Sequence, residues 1–143
     1  MICKYQPTDL GDVLQCWSSA SAVAHPFLSE EFQAQERLNI ENLYLPNAET
    51  WVWQAADAVE GFVALVGNEV GGLFVDAKSQ RAGIGQALID HARTLHGELE
   101  VEVFTENSLG RAFYSKVGFV LIEEKVHEAT GCGLLRLRLA VDA

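Results

Sequence analysis

The chain has no apolar run approaching the roughly 18 residues of a membrane-crossing helix, and Met1-Ile2-Cys3-Lys4-Tyr5 does not open a signal peptide. Cysteine is scarce and odd in number. Cys3, Cys16 and Cys132 show no paired metal spacing, so they read as free or buried thiols of a reducing cytoplasm, with no metal site. Basic residues are few: 10 Lys and Arg stand against 20 Asp and Glu, a net charge of −10. That balance argues against a nucleic-acid surface and favours a cationic partner such as an amine. Repeats, low-complexity tracts and linkers are also missing. What remains is 143 residues, nearly half of them hydrophobic, which suits a single domain over 1–143 with a proper core.

The periodicities give an α/β chain. Ile2-Cys3-Lys4-Tyr5 is a short strand that Pro7 ends. Thr8 or Asp9 caps a helix through about Ala22, with Leu10, Val13, Leu14 and Trp17 on its apolar side, and His25-Pro26 breaks it. Ser29 caps a second helix, for which Phe32, Leu38 and Leu43 supply the apolar surface and Pro46 the end. Residues 50–55, 61–66 and 69–75 read as three antiparallel strands, and Gly71-Gly72 inside the third predicts a bulge or a close backbone approach. Ile84, Leu88, Ala92 and Leu95 recur at helical spacing up to Gly97. Residues 99–104 alternate as a strand, so a parallel, right-handed strand–helix–strand unit is implied. Asn107 or Ser108 caps a last helix that Gly118 ends, and residues 119–126 and 134–141 close a hairpin. The order is β-α-α-β-β-β-α-β-α-β-β, a mixed sheet with helices on both faces.

The stretch from Val70 to Ile89 organises the rest: a strand, a loop, two glycines one residue apart, then an amphipathic helix. A helix start carries unpaired N–H groups and the positive end of the dipole, so it makes an anion site. A Walker loop would require Gly-Lys-Ser/Thr, but Gly85 is followed by Gln86-Ala87. A dinucleotide fingerprint would require a third glycine where Leu88 stands. The remaining pattern, Gln/Arg-x-x-Gly-x-Gly/Ala, is matched by Gln80-Arg81-Ala82-Gly83-Ile84-Gly85.

With Leu73-Phe74-Val75-Asp76 before it, this loop resembles the acetyl-coenzyme A loop of the GNAT N-acetyltransferases. A second stretch, Asn107 to Phe119, resembles that family's Asn-x-x-Ala-x-x-Phe/Leu-Tyr-x-x-x-Gly-Phe, with Gly110 where alanine is usual. Asn107 and Tyr114 lie two turns apart on one side of the helix. His25-Pro26-Phe27-Leu28 is similar to a stretch in small bacterial GNATs of the YjaB-like group. The predicted order is that of the GNAT fold, so the resemblance spans nearly the whole chain.

The resemblance implies transfer of an acetyl group from acetyl-CoA to a primary amine, by direct attack in a ternary complex. Pantetheine would lie between two splayed strands and meet the main chain at Leu73 and Val75. The amides of Arg81, Ala82, Gly83, Ile84, Gly85 and Gln86 would cradle the pyrophosphate. A strand N–H near Phe74 would stabilise the oxyanion, and Asn107 would face the cofactor. Tyr114 stands where the family places its acid, and Glu69 begins the acetyl-bearing strand, a common position for the base. The acceptor would be a small-molecule amine or a peptide or protein amine, shaped by Trp51, Trp53, Phe27 and Tyr44, aromatic residues that read equally as core. His25 sits in the loop bordering that site, while His91, His96 and His127 read as surface. Cys132 has no identified base and no acyl-enzyme is required. Exposed closing strands leave monomer and homodimer open, and a binding module of the same fold without turnover is the alternative.

Overall fold

The computed structural model describes residues 1–80 and 82–141. Seven strands form one sheet in the order β1-β2-β3-β4-β5-β7-β6. They are β1 (Ile2–Lys4), β2 (Glu49–Gln54), β3 (Val59–Val66), β4 (Glu69–Val75), β5 (Leu99–Phe104), β6 (Val120–Val126) and β7 (Gly133–Leu139). The helices are α1 (Leu10–Ala24), α2 (Glu30–Asn39), a single turn α3 (Leu45–Asn47), α4 (Ile84–His96) and α5 (Ser108–Val117). Apart from α3, the order is the expected one.

Two cores lie on opposite sheet faces. Val13, Trp17, Ile40 and Leu45 from the α1–α3 side meet Val52 and Phe62. On the other face, Leu88, Ile89 and Ala92 of α4 and Tyr114 of α5 meet Leu65, Val101 and Leu137. Alternation on β5 explains the division: Leu99, Val101 and Val103 are buried, while Glu100, Glu102 and Phe104 turn to the α1–α2 side.

Several local expectations need correction. Leu38 and Leu43 are exposed, and Ile40 and Leu45 are buried in their place. After α2 the chain makes a π turn over Ile40–Tyr44, whose extra residue shifts the phase of the apolar stripe. Pro46 continues the helical path at the first turn of α3, where its missing N–H costs nothing. Trp51 and Trp53 point to the α4 side and pack on that core, so neither shapes an acceptor pocket.

Ser29 does cap α2, accepting from Phe32 N–H at 3.1 Å. Asn107 caps α5, and Gly118 ends it in the left-handed region at φ 118°. The β4 bulge forms as well. Ala64 pairs with Gly72 and Leu65 with Val70, which leaves Gly71 as the extra residue.

Candidate functional site

The parallel pair β4 and β5 is paired at two positions only, Glu69 with Glu100 and Val70 with Val101. Beyond them the strands part. The backbone direction follows from one bond: Asp76 N–H donates to Glu60 O at 2.8 Å, so Asp76 and, two residues back, Phe74 face β3. Leu73 and Val75 therefore turn their N–H and C=O groups away from β3, into the gap. Val75 O there accepts from Gln80 Nε2 at 3.2 Å. Phe74's own amide faces β3, which leaves its neighbours as the strand donors on the open side; its ring lines the gap.

At the wide end of the gap α4 begins. Gly83 is its N-cap, left-handed at φ 84°, a conformation that glycine adopts without strain. The first intrahelical bond runs from Ala87 N–H to Gly83 O at 3.0 Å. The amides of Ile84, Gly85 and Gln86 thus have no intrahelical acceptor. Gly85 serves packing: a Cβ there would lie 3.1 Å from the Phe113 ring. Ala82 is exposed beside the loop. Arg81 lies outside the described residues.

A groove of about 260 Å³ follows the gap inward. Tyr114 lines it from α5, 7% exposed. Its ring stands edge-on to Phe113 and Phe119, and no described residue bonds its hydroxyl. Burial pushes the phenol's pKa well above the ordinary 10.0, so Tyr114 stays protonated. The far end is aromatic and acidic. Phe32, Phe104 and His127 form its walls, and Glu36, Glu69 and Glu102 are the carboxylates lining it. No described lysine or arginine lines it. Glu69 accepts from Arg136 Nη2 at 3.0 Å, and the same guanidinium bonds Glu100 at 2.7 Å and Glu102 at 3.1 Å.

His25 and Asn107 form one unit. Asn107 Oδ1 accepts from Gly110 N–H at 2.9 Å, which aims Nδ2 at His25 Nε2, 3.3 Å away. An amide nitrogen only donates, so Nε2 holds a lone pair and the ring's proton is on Nδ1, donated to Ser21 Oγ at 3.1 Å. Phe27, Phe74 and Phe104 surround the ring edge-on, and burial lowers its pKa below the ordinary 6.5. Both ring nitrogens are committed, so His25 is a neutral structural histidine. Gly110 belongs to this unit: an alanine Cβ would fall 2.5 Å from Asn107 Nδ2, which accounts for the glycine where the family pattern has alanine.

The His25 arrangement has a measurable consequence. The unfolded chain takes up the imidazole proton at the ordinary value, the folded one only at lower pH. Stability due to His25 is therefore level above about 6.5 and falls as pH drops through the window below it. Glu49 and Glu100, bonded by Trp51 and by Arg136, sit below their ordinary 4.5 and act at more acidic pH. The melting temperature of the wild type should fall as pH drops below about 6.5, and His25→Gln should lack that component. Equal slopes in the two proteins would contradict the assignment.

Several other placements differ from the sequence reading. His127 lines the groove, whereas His91 stands edge-on to Trp51 and His96 bonds Glu49 at 2.8 Å. Tyr44 is exposed and donates to Glu36 at 3.0 Å, so it bears on the groove only through Glu36. Phe27 packs against Phe104. Phe104, Glu36 and Glu102 were unmarked by any local motif. Among the described residues no helix is long and apolar enough to cross a membrane.

Comparison with known proteins agrees with this geometry. Residues 46–121 match the family model described as an acetyltransferase (GNAT) domain. The chain is 31% identical over 124 residues to the peptidyl-lysine N-acetyltransferase YiaC of Escherichia coli K12, covering 86% of this chain and 85% of that one. It is 32% identical over 109 residues to the peptidyl-lysine N-acetyltransferase YjaB of the same strain, covering 76% and 74%. The solution structure of apo YjaB from Escherichia coli superposes with a TM-score of 0.87 at 28% identity, over 96% of this chain and 95% of that one. The fold also matches the PaiA N-acetyltransferase of Thermoplasma acidophilum, solved with coenzyme A, at a TM-score of 0.73 and 20% identity, over 95% and 96% of the chains.

Proposed function

The chain belongs to the GNAT acetyltransferase family and is an acetyl-CoA-dependent N-acetyltransferase; from that premise we propose that its acceptor is the side-chain amine of a lysine in a peptide or protein. The observation that carries this reading is the parting of β4 from β5, which opens a groove lined by Leu73 and Phe74 of β4 and by the acidic and aromatic residues named above. A lysine is a flexible apolar stem with a cation at its tip. Aromatic walls suit the stem and the carboxylates suit the tip. The lysine-acetylating relatives support the same choice.

In this reading pantetheine pairs with the open edges of Leu73 and Val75, whose polar groups would otherwise lack strand partners. The pyrophosphate rests on the free amides at the start of α4, with Ala82, Gly83, Ile84, Gly85 and Gln86 as its cradle. Asn107 borders the cofactor while it caps α5. The thioester oxygen becomes negative as the amine attacks and is met by an open-edge amide beside Phe74. Tyr114 gives its proton to the departing sulfur. Glu69 draws the ammonium into the groove and holds it beside the thioester. Acetyl-CoA and three free thiols suit the cytoplasm, where the domain works as a monomer or homodimer.

A peptide with one internal lysine and a blocked N-terminus tests the acceptor class. We expect thiol release with it, and a raised KM for the peptide in Glu69→Gln with unchanged acetyl-CoA affinity. Turnover of small amines alone, with that peptide inert, would contradict the lysine reading.

A further inference from the structure

Two imidazoles line the groove: His25 is bonded at both ring nitrogens, and His127 has no part in the scheme above. His127 follows β6 and stands edge-on to Phe104 of β5, at 5.2 Å between centroids, and to Phe32 of α2, at 5.7 Å. These contacts fix the ring plane. Its Nδ1 lies 2.9 Å from Thr130 Oγ1, and that oxygen accepts from Cys132 N–H at 3.2 Å. No described residue bonds Nε2. A hydroxyl can donate or accept, so Thr130 suits both charge states of the ring. It accepts from Nδ1–H in the imidazolium and in one neutral tautomer, and by rotating it can donate in the other. His25 has no such freedom, because Asn107 Nδ2 only donates to it. Glu69 is held by the Arg136 guanidinium, and a proton placed on it would weaken that ion pair.

From this geometry we infer that His127 is the proton acceptor of the reaction, taking one proton from the acceptor ammonium at Nε2 directly or through one water. The inference rests on the lysine reading above. The proton balance is complete. The ammonium loses one proton to Nε2 and the neutral amine attacks the thioester carbon, forming the N–C bond. As the C–S bond breaks, Tyr114 protonates the sulfur. The second amine proton returns to Tyr114. The imidazolium then releases its proton to solvent, so one proton leaves per acetyl transferred. The other titratable groups of the groove are His25 from the end of α1, Glu36 from α2, Glu69 from β4, Glu102 from β5 and Tyr114 from α5. Lys125 and Arg136 bond Glu102, and Cys132 and Glu128 lie on the same hairpin as His127.

The test uses the full chain, acetyl-CoA and the blocked lysine peptide. His127→Phe keeps a ring against Phe104 and Phe32 but accepts no proton. It should lower kcat/KM for the peptide about 10²-fold, with acetyl-CoA affinity unchanged, and its rate should keep rising with pH where the wild type levels off. Imidazole added to His127→Ala should restore part of the rate. A His127→Phe enzyme with wild-type kcat/KM and pH profile overturns the proposal. A wild type that acetylates other amines but not the peptide refutes the lysine reading, and the same variants on those amines then decide the role of His127. The ¹⁵N shifts of the neutral ring decide independently of turnover. Proton acceptance at Nε2 requires the Nδ1–H tautomer, and the Nε2–H form throughout overturns the proposal.

Discussion

Tyr114→Phe should lower kcat about 10²-fold while the acetyl-CoA dissociation constant and the melting temperature stay nearly unchanged. The structure separates these quantities. The Tyr114 hydroxyl has no hydrogen-bond partner among the described residues, so its removal leaves no buried group unpaired. The ring contacts with Phe113 and Phe119 persist in phenylalanine. What is lost is a proton aimed into the groove. Burial keeps that proton on the phenol, so it transfers only as the sulfur takes on charge, and its loss appears in the chemical step. An alkaline limb of kcat near the ordinary phenol value of 10.0 would show a phenol that ionises early, and so would contradict this role. A kcat within twofold of wild type would remove Tyr114 from the reaction.

Gly83→Glu should weaken acetyl-CoA binding about 10²–10³-fold. A Cβ at Gly83 meets no described atom within 4 Å, and the added carboxylate stands beside the space proposed for the pyrophosphate. Two unit charges about 4 Å apart repel by about 4 kcal/mol at an effective dielectric of 20. The left-handed backbone costs a side chain at this position about 1–2 kcal/mol of folding stability, which free and bound protein share. Gly83→Ala separates the two effects, because it carries the strain without the charge, and it should bind far better than Gly83→Glu. Calorimetric titration with acetyl-CoA measures both. Wild-type affinity in Gly83→Glu would place the phosphates elsewhere.

The elements proposed to hold the cofactor were legible in the sequence because they are local. Gly83 and the α4 start are neighbours in the chain, and Asn107 and Tyr114 are joined by helical spacing. The bulge at Gly71 was marked by a glycine pair inside a strand. The end proposed for the acceptor was not legible, because α2, β5 and the β6–β7 hairpin contribute one or two residues each. Phe32, Phe104 and His127 lie far apart in sequence and share no spacing rule, so His127 read as surface. Sheet order decides such contacts: β7 inserts between β5 and β6, and the hairpin carries His127 back over Phe104. The α2 stripe failed for a different reason, the π turn at Ile40–Tyr44, which no residue in that segment announces. For Trp51 and Trp53 the pocket and core readings stayed equal, because alternation on β2 fixes that they share a face and not which one; the structure gives the core reading.

The central claim is that acetyl-CoA and the amine meet in one groove and react directly. Initial rates with acetyl-CoA and the lysine peptide both varied test it most directly. Direct transfer in a ternary complex predicts reciprocal plots that intersect, with no thiol released until the amine is present. Parallel lines, with a burst of one thiol per chain from acetyl-CoA alone, would show an acyl-enzyme and contradict the account.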